Sequence, residues 1–100
     1  MQISKDLTVV KSNSCGVNKI VIRYYDTNIV LIETIPSNNK NSRLITINTG
    51  SYSSAWRGIN RALWFYDIPL TLYQISNTWY IKNLTTGKIY NYSDNMELAA

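Results

Sequence analysis

The chain has 100 residues, of which 45% are hydrophobic and 16% are charged, and its basic residues outnumber its acids to give a formal net charge of +4. This length suits one domain with one modest core, so we predict a single domain over residues 1–100. Because histidine is absent and Cys15 is the one cysteine, an intrachain disulfide and the Ser-His-Asp or Cys-His nucleophiles are excluded.

The hydropathy pattern argues against a membrane protein. No run of hydrophobic residues is longer than five, whereas a membrane-spanning helix needs ~18. The first residues also lack the apolar core of a signal peptide. We therefore predict a protein with no membrane segment, located in the cytoplasm, where a lone cysteine stays reduced.

The first half of the sequence is typical of β-strands. Four runs of β-branched and aromatic residues, each bounded by turn-forming residues, predict strands at residues 7–11, 18–25, 28–34 and 43–48. Asp26, Thr27 and Asn28 predict a tight hairpin turn, because Asp and Asn side chains can hydrogen-bond the nearby backbone. The polar segment at residues 36–42 predicts a loop.

A glycine then separates the last of these strands from the one predicted helix. After Gly50, Ser53 or Ser54 can cap the helix by accepting a hydrogen bond from a backbone N–H. Pro69 is expected to end it. Gly58 lies inside the helix and implies either close packing or a weak helix. At 100° per residue, one side of the helix carries the apolar residues Ala55, Ile59, Ala62, Leu63 and Tyr66.

Three more strands are predicted as a meander, at residues 70–75, 78–83 and 88–92. The order ββββαβββ contains no βαβ alternation. We therefore predict an α+β fold in which one amphipathic helix lies on a bent, mostly antiparallel sheet of about seven short strands. Asp94 and Glu97 follow the last predicted strand, in a segment that is expected to fray.

No pattern of catalytic or metal-binding residues is present. The six acids are scattered, and no glycine-rich phosphate loop occurs. A carboxylate pair from distant segments, such as Asp26 with Asp67, stays open as an alternative. We predict a non-enzymatic protein with no metal and no cofactor.

Aromatic residues are concentrated in the second half, where ten of the twelve lie between residues 52 and 92. One interpretation places Trp56, Phe65, Tyr66 and Trp79 in the core between helix and meander. A second treats Trp64 and neighbouring tyrosines as anchors of a protein interface. A third is a surface on which the bases of single-stranded nucleic acid stack.

The polar side of the predicted helix is the best candidate site. Trp56 falls at its boundary. Arginines one turn apart beside a tryptophan suit an acidic protein surface and a phosphate group equally well. The predicted partner-binding residues are Arg57, Asn60, Arg61, Trp64 and Tyr52.

Three short segments resemble a group of small proteins encoded by tailed bacteriophages. Those proteins have an aromatic-x-Thr hairpin, a Thr-Gly-Gly-aromatic turn and a helix that begins with Arg-apolar-Asn. The similar segments here are Tyr25-Asp26-Thr27, then Thr49-Gly50-Ser51-Tyr52, then Ile59-Asn60, with Ser51 replacing the second glycine and Gly58 replacing the arginine. The resemblance implies a phage accessory protein that works in the bacterial cytoplasm by binding and modulating or inhibiting a host factor, defence complexes included.

Three functions follow from these observations. The leading hypothesis is a protein that binds a host protein or complex through the polar side of the helix. The alternative is a nucleic-acid-binding protein that uses the same residues. The third is a protein that sequesters a small molecule or nucleotide in an aromatic pocket between meander and helix, with a homodimer as its expected form.

Overall fold

The computed structural model describes residues 7–36, 41–49 and 55–99, and this part of the chain forms eight strands and one helix. In chain order the elements are β1 (Leu7–Ser14), β2 (Val17–Tyr24), β3 (Thr27–Pro36), β4 (Asn41–Ile47), α1 (Ala55–Phe65), β5 (Leu70–Ile75), β6 (Thr78–Asn83), β7 (Ile89–Asn91) and β8 (Met96–Ala99). The predicted α+β class, with one helix and antiparallel strands, is confirmed.

The strands form two sheets. The large sheet has the order β1-β2-β3-β4-β8, and the small sheet has the order β5-β6-β7. All of the described pairings are antiparallel. The small sheet is the predicted meander, and the large sheet is made of the four predicted N-terminal strands with one further strand.

That further strand is β8, which the sequence analysis missed. The segment around Asp94 and Glu97 was expected to fray, and this expectation was wrong because β8 pairs with β4 along its whole length, from Leu44 opposite Ala99 to Ile47 opposite Met96. Leu98 is only 7% exposed. Burial of this leucine, together with the pairing, offsets the cost of ordering a chain end.

The hairpin between β2 and β3 contains a β-bulge, and its extra residue lies close to helix α1. The turn lies at Tyr25 and Asp26, one residue earlier than predicted, and Tyr25 has a left-handed backbone with φ 55°. Ile22 faces Val30 and Arg23 faces Asn28, so Ile29 is an extra residue with no partner on β2. Ile29 is fully buried. The bulge therefore adds an apolar side chain to the core.

Helix α1 buries the predicted side. Ala55, Ile59, Ala62 and Leu63 are buried and Tyr66 is half-buried. The helix ends at Phe65, before the expected limit at Pro69.

A C-terminal capping motif explains the early end of the helix. Asp67 has a left-handed backbone with φ 54°. The Asp67 N–H donates to the Trp64 carbonyl at 3.1 Å, and the Ile68 N–H donates to the Leu63 carbonyl at 2.9 Å. These two bonds form the pattern that closes a helix with a left-handed residue. The predicted N-terminal caps, Ser53 and Ser54, lie outside the described residues.

The core among the described residues is aliphatic, which corrects the interpretation that aromatic residues fill it. Trp56, Tyr66 and Trp79 are partly buried at its edge, while Phe65 is 43% exposed. The buried residues are Leu7, Val9, Ile22, Ile29, Val30, Ile32, Ile45, Ile47, Ala55, Ile59, Ala62, Leu63, Ile68, Leu70, Leu72, Ile81 and Leu98. These aromatic rings therefore lie at the rim of the core, where part of their surface is accessible.

Gly58 packs closely against side chains of the large sheet. A Cβ atom at this position would lie 3.0 Å from Leu7 Cδ2 and 3.3 Å from Ile29 Cδ1. Both distances are shorter than ordinary van der Waals contact. Close packing, the first of the two explanations for a glycine in the helix, therefore applies.

Candidate functional site on helix α1

The exposed side of α1 is set by its buried side. Because Ala55, Ile59, Ala62 and Leu63 face the core, residues about half a turn away must face solvent. Three of the predicted partner-binding residues, Arg57, Arg61 and Trp64, are exposed there. We call the surface formed by Arg57, Arg61, Trp64 and Phe65 the helix face.

Trp64 is the most exposed large apolar side chain in the described part of the chain. Its exposed fraction is 80%. Phe65, which follows it in the sequence, is 43% exposed. Together with Trp56 and Asn60, the helix face lines a shallow depression of about 710 Å³. Aromatic rings on an open surface offer large contact area to a partner at low entropic cost.

The arginines of the helix face have no acidic partner among the described residues. The first turn of α1 contains no acid, and neither Arg57 nor Arg61 forms an ion pair with a described residue. The guanidinium carbon of Arg57 lies 5.4 Å from the centroid of the Trp56 ring, which is a cation–π contact. The helix face therefore combines two unneutralised positive charges with exposed aromatic surface.

Asn60 has a different environment from the other predicted residues. It is half-buried, its Nδ2 donates to the Leu72 carbonyl at 2.7 Å, and its Oδ1 accepts the Leu72 N–H at 2.7 Å. The side-chain amide is thus occupied by the main chain of β5, although the residue also borders the depression. The fifth predicted residue, Tyr52, lies outside the described residues.

A second cavity lies between α1 and the β5-β6 hairpin. It has a volume of about 300 Å³ and is lined by Trp56, Leu72, Tyr73, Gln74 and Trp79. We call it the edge cavity, because β5 is an edge strand of the small sheet. The centroids of the Trp56 and Trp79 rings are 6.1 Å apart, and the ring planes are tilted by 45°.

The sequence analysis did not assign Phe65, Gln74 or Trp79 to a binding site. Phe65 and Trp79 were placed in the core, and Gln74 was not singled out. A signal for Gln74 was present, since the predicted hairpin at residues 70–83 places it opposite Trp79, as observed. What the sequence lacked was the position of Trp56, which comes from a different element.

A polar cluster fixes the chain just before the helix. The Tyr92 hydroxyl donates to Asp94 Oδ1 at 2.6 Å, the Thr49 N–H donates to the Tyr92 hydroxyl oxygen at 2.8 Å, and the Thr49 hydroxyl donates to Asp94 Oδ1 at 3.1 Å. These contacts join the end of β4 to the segment between β7 and β8. Every polar atom named is hydrogen-bonded inside the cluster.

The cluster shifts the acidity of both ionisable groups. Burial, reinforced by the hydrogen bond to Asp94, raises the pKa of Tyr92 to about 12. The hydrogen bond from Tyr92 lowers the pKa of Asp94 below its ordinary value. At neutral pH the pair is therefore a neutral phenol donating to a carboxylate.

Within residues 7–36, 41–49 and 55–99, no group of three or more His, Cys, Asp or Glu side chains is close enough to hold a metal ion. The single helix of the described chain is too short and too polar to cross a membrane. Comparisons of the chain with protein-family models, with curated proteins and with solved structures found no match.

Proposed function

We propose that this is a small, non-enzymatic binding protein whose helix face docks on the acidic surface of a partner protein. The observation that carries the proposal is the exposure of Trp64, which is 80%. A tryptophan side chain exposed on a rigid helix costs free energy, because its apolar surface is in contact with water, and it does not contribute to the core. It is an anchor residue of the kind that dominates protein interfaces.

The charge of the helix face specifies the partner. Arg57 and Arg61 are one turn apart and lack acidic neighbours among the described residues, so their positive potential is not neutralised within that part of the chain. An acidic surface would pair with both guanidinium groups while the Trp64 ring is buried. Arginine and tryptophan together are the residue types most enriched at such contacts.

A protein partner is favoured over nucleic acid by the size of the basic area. Non-specific nucleic-acid binding depends on a wide stripe of Lys and Arg, whereas the net charge here is +4 and the basic residues are dispersed along the sequence. Two arginines around an apolar centre suit a compact protein contact better.

The setting follows from the resemblance to tailed-bacteriophage proteins in the segments at residues 25–27, 49–52 and 59–60. We propose a phage accessory protein that acts in the bacterial cytoplasm by occupying a surface of a host protein or complex, with defence complexes among the candidates. Occupying a surface requires no catalytic group.

The test is affinity capture from nuclease-treated bacterial lysate with matched variants. The site variant combines Arg61→Glu with Trp64→Ala. The control variant combines Lys19→Glu with Val10→Ala, since these exposed residues share the face of the large sheet that lies opposite the core. Both variants change the net charge equally and remove one exposed apolar side chain.

The proposal expects an acidic protein that is retained by the wild type and by the control variant and is lost with the site variant. Equal retention by all three proteins would contradict it. Material that is captured only when the nuclease is omitted, and whose binding weakens steeply as the salt concentration is raised to about 0.5 M, would instead favour the nucleic-acid hypothesis.

A further inference from the structure

We propose that the edge cavity is a binding site for an adenine mononucleotide. The proposal goes beyond the contact made by the helix face, with which the ligand would share Arg57. The cavity, about 300 Å³ in volume and lined by Trp56, Leu72, Tyr73, Gln74 and Trp79, lies at the lower end of the size range of small-molecule sites. A single planar ring system fits such a volume.

The main chain of β5 supplies hydrogen-bonding groups at the cavity. The N–H and C=O of Leu72 face α1, where both are bonded to Asn60. Because main-chain groups alternate in direction along an antiparallel strand, those of Gln74 face the same edge. No described residue bonds to them. They form an adjacent donor and acceptor without a protein partner in the described chain.

The position of Trp56 explains why these groups are free. Trp56 precedes Asn60 by one turn of α1, and Gln74 follows Leu72 by two residues on β5. Asn60 therefore lies beside Leu72, and Trp56 lies beside Gln74. The Asn60 side-chain amide pairs with the main chain of Leu72. Beside Gln74, the Trp56 ring occupies the corresponding position, so an aromatic wall lies next to the unpaired main-chain donor and acceptor of Gln74.

Adenine reproduces the missing amide. Its exocyclic amino group can donate to the Gln74 carbonyl while an adjacent ring nitrogen accepts the Gln74 N–H, as the Asn60 amide does at Leu72. The purine ring would stack on the indole rings of Trp56 and Trp79. The Gln74 side-chain amide, which is exposed and without a partner among the described residues, adds a second donor and acceptor.

Arg57 indicates that the ligand carries a phosphate. Its guanidinium carbon lies 5.4 Å from the Trp56 ring centroid, so a positive charge borders the aromatic wall of the cavity. A phosphate joined to the base through ribose can pair with this guanidinium at the rim. A mononucleotide is favoured over a nucleic-acid strand because the cavity holds one ring system.

The test is a titration of the full chain followed by tryptophan fluorescence. The probes are AMP, adenosine, purine riboside 5′-monophosphate, which lacks the exocyclic amino group, and a hexadeoxyadenylate strand. A Trp64→Phe protein assigns the signal to Trp56 and Trp79, since it removes the third tryptophan. We expect saturable quenching by AMP, and about tenfold weaker binding of the analogue because Gln74 loses its donor partner.

Substitution at Arg57 tests the phosphate contact. Arg57→Ala should weaken AMP binding by about tenfold and leave adenosine binding unchanged. Absence of saturable quenching by AMP, or equal affinity for AMP and the analogue, would overturn the proposal. Much tighter and strongly salt-dependent binding of the hexadeoxyadenylate would also overturn it, in favour of a nucleic-acid site.

The two proposals fail separately. The variant that combines Arg61→Glu with Trp64→Ala leaves all five residues of the edge cavity in place, so it should bind AMP as the wild type does. Loss of partner capture with normal AMP binding would support both proposals, and loss of AMP binding in this variant would contradict the independence of the edge cavity.

Discussion

The side-chain amide of Asn60 holds both main-chain groups of Leu72. Nδ2 donates to the Leu72 carbonyl at 2.7 Å, and the Leu72 N–H donates to Oδ1 at 2.7 Å. Asn60 belongs to α1 and Leu72 to the edge of β5, so one side chain fastens the helix to the small sheet. The contact also satisfies a donor and an acceptor that water would otherwise have to reach.

Replacing Asn60 should therefore destabilise the fold. Asn60→Ala leaves the two Leu72 groups without partners, and we expect the free energy of unfolding to fall by about 1–3 kcal/mol. Asn60→Asp should also be destabilising, because a carboxylate can accept the N–H but faces the carbonyl with no donor. Urea unfolding measures both. Trp64→Ala, at a solvent-exposed site of the same helix, is the control and should stay within about 0.5 kcal/mol of wild type. Equal effects of Asn60→Ala and Trp64→Ala would contradict this role.

Gly58 gives a second stability test. Gly58→Ala improves helix propensity by about 1 kcal/mol, but its Cβ would lie 3.0 Å from Leu7 Cδ2. We expect the steric term to be the larger, with a net destabilisation of about 1 kcal/mol.

A double-mutant cycle with Leu7→Val isolates that contact. Because valine lacks the δ-methyl groups, Gly58→Ala should be tolerated better in the Leu7→Val background than in the wild type. Thermal unfolding of the four proteins provides the comparison. A cost of Gly58→Ala that is the same in both backgrounds would show that Leu7 is not the residue that excludes a side chain at this position.

Local patterns predicted the elements better than their assembly. The period of α1 identified its four buried residues, and runs of β-branched and aromatic residues between turn-forming residues identified seven of the strands, because both signals are carried by neighbouring residues. The short strand β8 depends on pairing with β4, whose residues lie 49 to 55 positions earlier in a 100-residue chain. No local signal encodes a partner at that distance. Division into two sheets depends on the same long-range pairing.

For the candidate site, the direction of each helix residue was predictable, whereas its contacts with other elements were not. The helical wheel correctly gave the direction of Arg57, Arg61 and Trp64, since direction depends only on the helix period. It gave the direction of Asn60 equally well, but it contained no information about the edge of β5 that lies there. The sequence indicates an aromatic pocket between meander and helix but not the residues that line it, because the walls of the edge cavity come from α1, β5 and β6 together.

Asp94 should make stability depend on pH in the acidic range. Its pKa in the folded protein is below the ordinary value of 3.8, so folding favours the ionised carboxyl. This contribution is complete above the unfolded pKa and is lost as the pH falls through the lower folded pKa. We expect the melting temperature of the wild type to fall more steeply than that of Asp94→Asn between about pH 5 and pH 2. Parallel melting curves, followed by circular dichroism, would contradict a role for the carboxylate.

Removing the hydroxyl group should change the stability of the protein in opposite directions at Tyr66 and at Tyr92. The Tyr66 hydroxyl is buried and has no hydrogen-bond partner among the described residues, so Tyr66→Phe removes an unsatisfied group and should stabilise the protein by about 1 kcal/mol. The Tyr92 hydroxyl bonds to both Thr49 and Asp94, so Tyr92→Phe should destabilise it by a similar amount. Urea unfolding of the two variants decides the signs, and a destabilised Tyr66→Phe would mean that its hydroxyl has a partner.

The central claim, that the helix face contacts an acidic partner protein, is tested most directly by photo-crosslinking inside bacterial cells. A benzoylphenylalanine residue is placed at position 64 in one protein and at Val10, which is 48% exposed on the large sheet, in a control. We expect an adduct with one acidic protein from position 64, none from position 10, and loss of that adduct when Arg61→Glu is added. Adducts of equal yield from both positions, or an adduct at position 64 that persists unchanged with Arg61→Glu, would contradict it.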